Sequence, residues 1–547
     1  MHPPALMRIK KLIFILIISA LIISCENNAP VINSIDPKIG RMGEFITLTG
    51  SNFGQSRDES YVTIAGISPT NSSYSMWNDG QIIVRVPELG ESGLVYVHSR
   101  GKKSNGVLFS NSISIPRPVD GDDFGLEPRI VSVSPQSGSP GTVITITGRN
   151  FGISRENSFN AMSGVFFSWD YDSGNFNPYA IREPEYIEVS DAELGYESWN
   201  TREIRIRLPD GAVSGNLRVT TPQGKSLPVF FDVTGKPGSK TFKEKRIYTI
   251  NYSVDIKVNE ASRPNTLYLW IPKPITSSSQ RNVHLVSRNA EPFLENHRGV
   301  SLFKLDNLST GANHSINLSY RVEVYSVESS IRQTVRQETT PLTSMYTQSS
   351  VLIPSEHQQI RNAAASITGR EQNPYLKARM IYDWIIRNMQ LTNYQQPAAD
   401  LVSSLEQRQM TPYTAALLFT AISRAAGIPC IPVAGVLIDQ NGLTTRHYWA
   451  EFWINGFGWV PVDPAMGAGT VSEGELRDNF NFYFGNIDNQ RIAFSRGEIL
   501  LSQMESRGRI LSHPQSYSLQ NIWEEAAGGL ESYTSLWGDI IIIGIYN

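Results

Sequence analysis

The hydrophobic pattern of the chain changes near residue 340. Before that point, apolar and polar residues alternate in runs such as VITIT (143–147), NTLYLWIP (265–272) and HSINLSYRVEVYSV (314–327). A period of two residues is typical of strands that bury one face. Pro and Gly residues separate these runs, as they do at turns. We therefore predict all-β modules in the first part of the chain.

After residue 340, apolar residues recur three and four positions apart, which predicts amphipathic helices. The helical segments are EHQQIRNAAASITG (356–369), NPYLKARMIYDWIIRNMQL (373–391) and the more apolar TAALLFTAISRAAG (414–427). Three predicted strands follow: CIPVAGVLI (430–438), RHYWAEFWI (446–454) and GWVPVDP (458–464). Helices followed by strands, without βαβ alternation, predict an α+β core. The terminal segment DIIIIGIYN (539–547) is too short to span a bilayer and predicts a final buried strand.

An internal repeat lies near the N-terminus. PVINSIDPKIGRMGEFITLTGSNFG (30–54) matches PRIVSVSPQSGSPGTVITITGRNFG (128–152), with shared Pro, Gly and Phe residues 98 positions apart. Each copy ends with a further strand, GLVYV (93–97) or GNLRV (215–219), and these strands are 122 positions apart. The second copy therefore carries extra residues, which we assign to a loop around FFSWDYDSGNFNPYA (166–180).

The motifs GSNFG and GRNFG in these copies resemble the signature of IPT/TIG domains, which are immunoglobulin-like sandwiches of surface receptors and adhesins. The resemblance implies spacers or binding modules and identifies no ligand. Two Pro- and Gly-rich linkers then divide the chain. The predicted regions are the first copy (30–115), the second copy (128–235), a third β-sandwich (241–335), the α+β core (340–500) and a C-terminal extension (501–547).

Composition restricts the function. The 547 residues carry a net charge of −3 and no basic stripe, which argues against nucleic-acid binding. Residues 1–25 have a basic start, an apolar run and the ending LIISC, and they resemble a bacterial lipoprotein signal peptide. By this resemblance Cys25 carries the lipid, including acyl chains such as palmitate, and the protein is exported and anchored to a membrane. The alternative is an uncleaved anchor helix.

Lipidation of Cys25 would leave Cys430 as the only other cysteine of the chain. An intramolecular disulfide and a cysteine zinc site are then impossible. The eight histidines are scattered along the sequence. We therefore predict no metal and no cofactor.

RHYWAEFWINGFGWVPVDPA (446–465) resembles the His-Ala-Trp-x-Glu and Gly-Trp-x-x-x-Asp-Pro segment of transglutaminase-like (papain-like) proteins. LFTAISRAAGIPCIPVAG (418–435) and KARMIYDWIIRNM (377–389) resemble helices and a strand of the same family. The resemblance implies that His447 is the catalytic histidine and Asp463 its orienting acid. Their spacing is even, so only a hairpin loop of odd length puts both side chains on one face, and we predict such a loop.

The family's catalytic cysteine falls on Pro412 and its preceding glycine on Met410. Locally, Thr411 is predicted to cap a helix with Pro412 at its first position. Proline has no nucleophilic or acid–base chemistry. Thr411, Tyr413 and Cys430 remain alternative nucleophiles, but Cys430 follows the far end of the helix, on the order of 20 Å away.

Three hypotheses follow for function. The first is a catalytically silent transglutaminase-like domain that binds a peptide or a peptidoglycan stem at the cell envelope. In that case Thr411, Tyr448, Trp449 and Trp459 would contact the ligand, because aromatic rings supply contact area. The second is an amide hydrolase or transamidase with another nucleophile. The third is an adhesin or a purely architectural protein that acts through its IPT/TIG copies.

Overall fold

A computed structural model describes residues 29–40, 43–87, 92–111, 126–155, 157–158, 161–170, 185–297, 299–332, 335–336, 339–392, 400–469 and 480–546. The predicted signal peptide and Cys25 lie outside the described residues. The chain divides into two compact units, Met1–Gly125 and Leu126–Asn547. Within the described ranges, no helix is long and apolar enough to cross a membrane. The predicted class, β-sandwiches followed by an α+β core, is confirmed.

The first unit contains the first copy of the repeat, folded as two sheets. Its strands are β1 (Val31–Asp36), β2 (Ile39–Gly40), β3 (Phe45–Ser51), β4 (Tyr61–Ile64), β5 (Tyr74–Trp77), β6 (Gln81–Arg85), β7 (Gly93–Ser99), β8 (Lys102–Lys103) and β9 (Val107–Asn111), with a short 3-10 helix at Asn71–Ser73. The sheets have the orders β1-β3-β6-β5 and β2-β9-β7-β4, with β8 on β7. Alternate residues such as Ile46, Leu48 and Val95 are fully buried, which is the core that the period of two predicts.

The second copy opens the second unit and repeats this arrangement. Its strands are β10 (Arg129–Ser134), β11 (Ser137–Gly138), β12 (Val143–Arg149), β13 (Asn157–Ser158), β14 (Ala161–Met162), β15 (Gly164–Trp169), β16 (Glu185–Glu188), β17 (Tyr196–Trp199), β18 (Glu203–Arg207), β19 (Ala212–Thr221), β20 (Gly224–Lys225) and β21 (Val229–Val233). The orders are β10-β12-β18-β17 and β11-β21-β19-β15-β16. The predicted loop at 166–180 is partly wrong, because Phe166–Trp169 belong to β15 and pair with β16 and β19.

The third β region is dominated by two very long strands. It comprises β22 (Gly238–Pro272), β23 (Gln280–Arg288), β24 (Leu294–His297), β25 (Val300–Asp306) and β26 (Asn313–Ile331). β22 pairs with β26 along its first half and with β25 along its second half, in the order β23-β26-β22-β25-β24. Its buried residues include Tyr248, Val254 and Leu267.

The α+β core follows. Its helices are α1 (Pro341–Met345), α2 (Gln358–Thr368), α3 (Pro374–Asn388), α4 (Leu401–Gln407), α5 (Pro412–Ala425) and α6 (Pro464–Gly467). Its strands are β27 (Gln390–Leu391), β28 (Gln409–Met410), β29 (Cys430–Ile438), β30 (Thr444–Ile454), β31 (Gly458–Val462), β32 (Asn486–Ile487) and β33 (Arg491–Arg496). The main sheet is antiparallel, in the order β31-β30-β29-β33. As its apolar sequence predicted, α5 is buried almost throughout.

The C-terminal residues are not a separate extension. They form β34 (Arg509–Leu511), β35 (Glu524–Trp537) and β36 (Ile541–Tyr546), and both β35 and β36 pair with β22. With β32 on β26, these strands complete one nine-stranded sheet. The prediction that the last strand is buried is wrong, because Ile541, Ile543 and Ile545 are 56%, 60% and 42% exposed. The apolar run marked a strand, but it did not reveal that β36 lies at an edge of this sheet.

Candidate functional site

The His447 and Asp463 side chains meet. β30 and β31 form a hairpin in which Ile454 pairs with Gly458, so the connecting loop has three residues, Asn455–Phe457. The predicted loop of odd length is therefore confirmed, and it puts the two side chains on one face. His447 Nε2 lies 2.7 Å from Asp463 Oδ2.

Asp463 is fully engaged by other groups. Its Oδ2 also accepts a hydrogen bond of 2.8 Å from Arg491 Nη1, and its Oδ1 accepts one of 3.0 Å from the backbone N–H of Met466, which caps α6. Arg491 binds Asp488 as well, at 2.6 Å. Burial alone raises the pKa of Asp463, but the charges and hydrogen bonds of His447 and Arg491 outweigh it and lower this pKa to about 2. Asp463 is therefore an ionised acceptor.

This geometry fixes the role of each imidazole nitrogen. Because Asp463 can only accept, His447 Nε2 carries the proton of their hydrogen bond. Nδ1 is then the nitrogen left to act as a base. The pair is enclosed, since the side chains of His447 and Asp463 are 1% and 0% exposed. The arrangement can orient an imidazole, as a catalytic dyad requires, but solvent does not reach it freely.

Sequence reasoning missed Arg491. It lies in β33, whose pairing with β29 places it opposite Leu437 and beside the dyad. Its guanidinium also lies 5.1 Å from the centroid of the Trp449 ring. A charged residue within the apolar run RIAFSR was a signal of a buried ion pair, because arginine is almost never fully buried without a partner.

The start of α5 has the predicted form. Thr411 is the N-cap and accepts from the N–H of Thr414 at 3.3 Å, while the N–H of Thr411 donates to Thr414 Oγ1 at 2.8 Å. Pro412 is the first helical residue and is buried. The neighbouring Tyr413 packs edge-on against Tyr448, with ring centroids 5.0 Å apart. The first turn of α5 is therefore held against β30 at Tyr448.

The alternative oxygen nucleophiles have unfavourable environments. The Thr411 hydroxyl is committed to the cap. Burial raises the pKa of Tyr413 to about 12, so its phenol stays protonated at neutral pH. Neither group has a base among its described hydrogen-bond partners, which a nucleophile of this type needs.

The dyad and α5 lie on opposite faces of the main sheet. Tyr448 packs with Ala416 of α5, and Phe452 packs with Phe419. His447 and Trp449 alternate with these residues and project from the other face. The pairing between β30 and β31 ends at Ala450 and Val462. A nucleophile on α5 would have to reach His447 around this end of β31.

Cys430 is no substitute for the missing thiol. It is fully buried, its Sγ lies 3.8 Å from Thr420 Oγ1, and burial raises the pKa of its thiol to about 12. It pairs with Phe452, whereas Gly435 pairs with His447. Five residues of strand separate Cys430 from Gly435, which is roughly 17 Å, and the odd separation puts the Cys430 side chain on the opposite face of the sheet from that of His447.

The residues predicted to contact a ligand are buried. Tyr448 is 1% exposed, Trp449 and Trp459 are 4% exposed, and Thr411 is 7% exposed. Tyr448 donates to the carbonyl of Ser516 at 2.7 Å, and Trp459 packs against Tyr346 and Trp453. In the structure these side chains pack the protein interior, and their contact with a ligand stays a prediction.

A small cavity lies next to the dyad. Its volume is about 30 Å³, and its lining includes Trp449, Glu451, Trp459, Arg491 and Arg496. That space suits one or two water molecules rather than a peptide. Among the described residues, no group of three His, Cys, Asp or Glu side chains is placed to hold a metal ion.

Comparison with known families agrees with the motifs. Residues 361–464 match the transglutaminase-like superfamily, and residues 30–112 and 128–161 match the IPT/TIG domain. The chain therefore contains two IPT/TIG segments and a transglutaminase-like core, as the sequence motifs predicted.

Individual relatives are distant. An uncharacterised protein of Haemophilus influenzae is 23% identical over 297 residues, covering 46% of this chain and 79% of that protein. A crystal structure from Cytophaga hutchinsonii, provisionally described as a cysteine protease, is 16% identical with a TM-score of 0.37, covering 56% of this chain and 92% of that one. The periplasmic domain of TgpA from Pseudomonas aeruginosa is 15% identical with a TM-score of 0.25, covering 57% of this chain and 94% of that one.

Proposed function

We propose that this protein is an exported, lipid-anchored envelope protein whose transglutaminase-like core is catalytically silent and serves in binding or scaffolding. One observation carries the proposal: Pro412 occupies the first position of α5, where the family's thiol belongs. A cysteine at that position would be acidified by the helix N-terminus. Proline offers neither a proton nor a nucleophile.

Two further observations support the absence of catalytic activity. The only described thiol, Cys430, is buried in the core and protonated at neutral pH. The dyad is sealed, and its carboxylate is shared with Arg491. A substrate would therefore have to open the molecule before reaching His447. These features favour a scaffold that presents its surface to an envelope protein or to a peptidoglycan peptide.

The retained dyad favours one competing function, an amide hydrolase or transamidase with another nucleophile. The test measures hydrolysis of a peptide amide and incorporation of a fluorescent amine into a glutamine-containing protein. We expect wild type to give no more product than His447→Ala, with Asp463→Asn as a second dyad variant. Product formation by wild type that both variants abolish would establish an enzyme. Circular dichroism checks that the variants are folded, because both positions are buried.

The variant Pro412→Cys tests whether the proposed lack of catalytic activity comes from the missing thiol. We expect the variant to react with iodoacetamide at a rate that depends on His447, while wild type is unlabelled. Equal labelling of Pro412→Cys and Pro412→Cys/His447→Ala would mean that the dyad does not serve this position.

The lipid anchor requires a separate experiment. The protein extracted from bacterial membranes should begin at Cys25 and carry acyl chains on it in mass spectrometry, because an acylated chain binds membranes through its buried methylenes. A protein that retains residues 1–24 and carries no acyl group would point to the uncleaved anchor helix instead.

A further inference from the structure

The second copy of the repeat is joined to the hairpin that carries the dyad by a buried ion pair. Asp210 follows β18 in the second copy, Lys240 lies in β22, and Trp459 lies in β31. Asp210 Oδ2 accepts from the backbone N–H of Trp459 at 3.0 Å and from Lys240 Nζ. Lys240 Nζ also donates to the backbone carbonyl of Trp459. The side chains of Lys240 and Asp210 are 7% and 3% exposed.

The hairpin lies so close to the second copy that a glycine on each side has no space for a side-chain carbon. A Cβ added to Gly458 would lie 2.5 Å from Asp210 Cγ, and the residue has a φ of +100°. A Cβ added to Gly141 of the second copy would lie 2.6 Å from the Trp453 ring. Glycine at both positions therefore permits the close approach of the two modules.

The placement of β31 depends on such contacts. It is a five-residue edge strand, and the ring of Pro461 removes one of its N–H donors. At its far end the N–H of Asp463 donates to the carbonyl of Tyr483 at 2.9 Å. At the start of β31, the side chain of Asp210 accepts the hydrogen bond from the N–H of Trp459. Together with its pairing to β30, these contacts at the two ends fix where Asp463 stands relative to His447.

A second contact reinforces the first. Arg496 of β33 donates to Glu451 of β30 at 2.8 Å and to the carbonyl of Ala192 in the second copy at 3.2 Å. Its guanidinium lies 4.4 Å from the centroid of the Trp459 ring. Both strands of the hairpin are thus tied to the second copy by charged side chains.

We infer that the second IPT/TIG copy is a positioning partner of the transglutaminase-like core, and that Asp210 is the residue through which it fixes the hairpin bearing His447 and Asp463. The copy is then an integral part of the core rather than a spacer. By its offset from the second copy, the first copy has Glu88 at the corresponding sequence position, which lies outside the described residues.

The test uses the full-length protein and hydrogen exchange of individual amides. Asp210→Asn keeps the size of the side chain but leaves Lys240 as a buried cation without its carboxylate, which is costly. We expect exchange of the β30–β31 amides, such as those of Phe452 and Val460, to accelerate at least tenfold. The β29–β33 amides, such as that of Ile492, should change less than twofold.

Three controls make the result decisive. Lys243→Met removes a cation of the same strand whose pair with Glu328 is about one-third exposed, and it should change neither set of amides. Lys240→Met should reproduce the effect of Asp210→Asn. The double variant Asp210→Asn/Lys240→Met should lie closer to wild type than either single variant, because no buried charge is left alone.

A second readout follows the dyad itself. In selectively labelled protein, the Nε2–H signal of His447 should shift or broaden in Asp210→Asn, while the ring signals of His513, which pairs with Glu524, stay unchanged. Equal acceleration of both amide sets, or an unchanged His447 signal with unchanged hairpin exchange, would overturn the inference.

Discussion

In the first copy the indole N–H of Trp77 donates to the carbonyl of Phe53 at 3.0 Å, and in the second Trp199 donates to Phe151 at 2.8 Å. Tyrosine hydroxyls accept from Val62 and Val165, each at 2.9 Å. Both first strands have a register shift at the same place in the motif. The internal hydrogen bonds and the strand register of the two copies are therefore nearly the same.

Their surroundings differ. The first copy lies in a unit that ends at Gly125, whereas the second copy belongs to the unit that includes the core. The residues that make this difference, such as Asp210 and Trp169, lie outside the shared motif. Trp169 packs against Phe242 and Tyr325 of the third β region. Copies of the same fold thus differ in their surroundings according to side chains that lie outside the shared motif.

The largest test of this contrast removes the matched core ring from each copy. Phe53 and Phe151 are both 0% exposed, and either change to alanine should cost about 3–5 kcal/mol of unfolding free energy. Phe53→Ala should accelerate amide exchange only within residues 29–111. Phe151→Ala should accelerate it in β30 and β31 as well. If the two variants have equally local effects, the second copy is as independent as the first.

Arg496 tests the connection to the core more narrowly. Its side chain is 1% exposed, and Arg496→Met leaves Glu451 without its cation, which should cost about 3 kcal/mol in chemical denaturation. Arg205→Met removes a cation of the second copy that is 45% exposed and should cost about 0–1 kcal/mol. Similar losses from the two variants would remove Arg496 from this role.

The pH dependence of stability should also distinguish the second unit. Burial raises the pKa of Glu193 in the second copy to about 7, against the attraction of Arg496. The folded state then keeps a proton that the unfolded chain releases above pH 4.5, so stability falls as pH rises from 4.5 to about 7. The expected loss from Glu193 is about 3 kcal/mol.

Glu193→Gln checks the source of that loss, because it should reduce the slope in denaturation curves recorded between pH 4.5 and 8 to the part contributed by Glu188, whose pKa burial also raises to about 7. Asp463 does not contribute in this window, since its pKa of about 2 keeps it ionised throughout. A slope in Glu193→Gln as steep as that of wild type would contradict this prediction.

The smallest effect should be the same in both copies. Trp77→Phe and Trp199→Phe each remove one indole hydrogen bond to a backbone carbonyl, which is worth about 1 kcal/mol. Thermal unfolding of the two variants should give matching losses within their respective units. A much larger loss for Trp199→Phe would show that the two indole hydrogen bonds do not contribute equally to stability.

Local features of the fold were predictable from the sequence. Strand β29 occupies the predicted residues, and the cap at Thr411 followed from a threonine before a proline. The pairing of His447 with Asp463 came from the resemblance to transglutaminase-like proteins, and their even spacing added the prediction of a loop of odd length. These predictions depend on neighbouring residues and on strand periodicity, which a single sequence contains.

Features that join distant segments were not predictable. Arg491 reaches Asp463 only because β33 pairs with β29, and Asp210, Lys240 and Trp459 come from three separate regions. The burial of Trp449 and Trp459 depends on what covers the sheet, which periodicity does not encode. For the same reason, the apolar residues of β36 predicted a buried strand, but the structure places them at an edge.

The long strand β22 has a mechanical consequence. It begins at Gly238, directly after the second copy, and pairs antiparallel with β26 from Gly238 to Lys257. Gly238 pairs with Ile331, the residue from which the chain continues toward the core, so the chain enters and leaves this ladder at the same end. Tension between the second copy and the core would therefore peel its hydrogen bonds apart one by one from that end. The contacts that join the second copy to the core, such as that of Asp210 with Trp459, would have to break before the ladder bears this load.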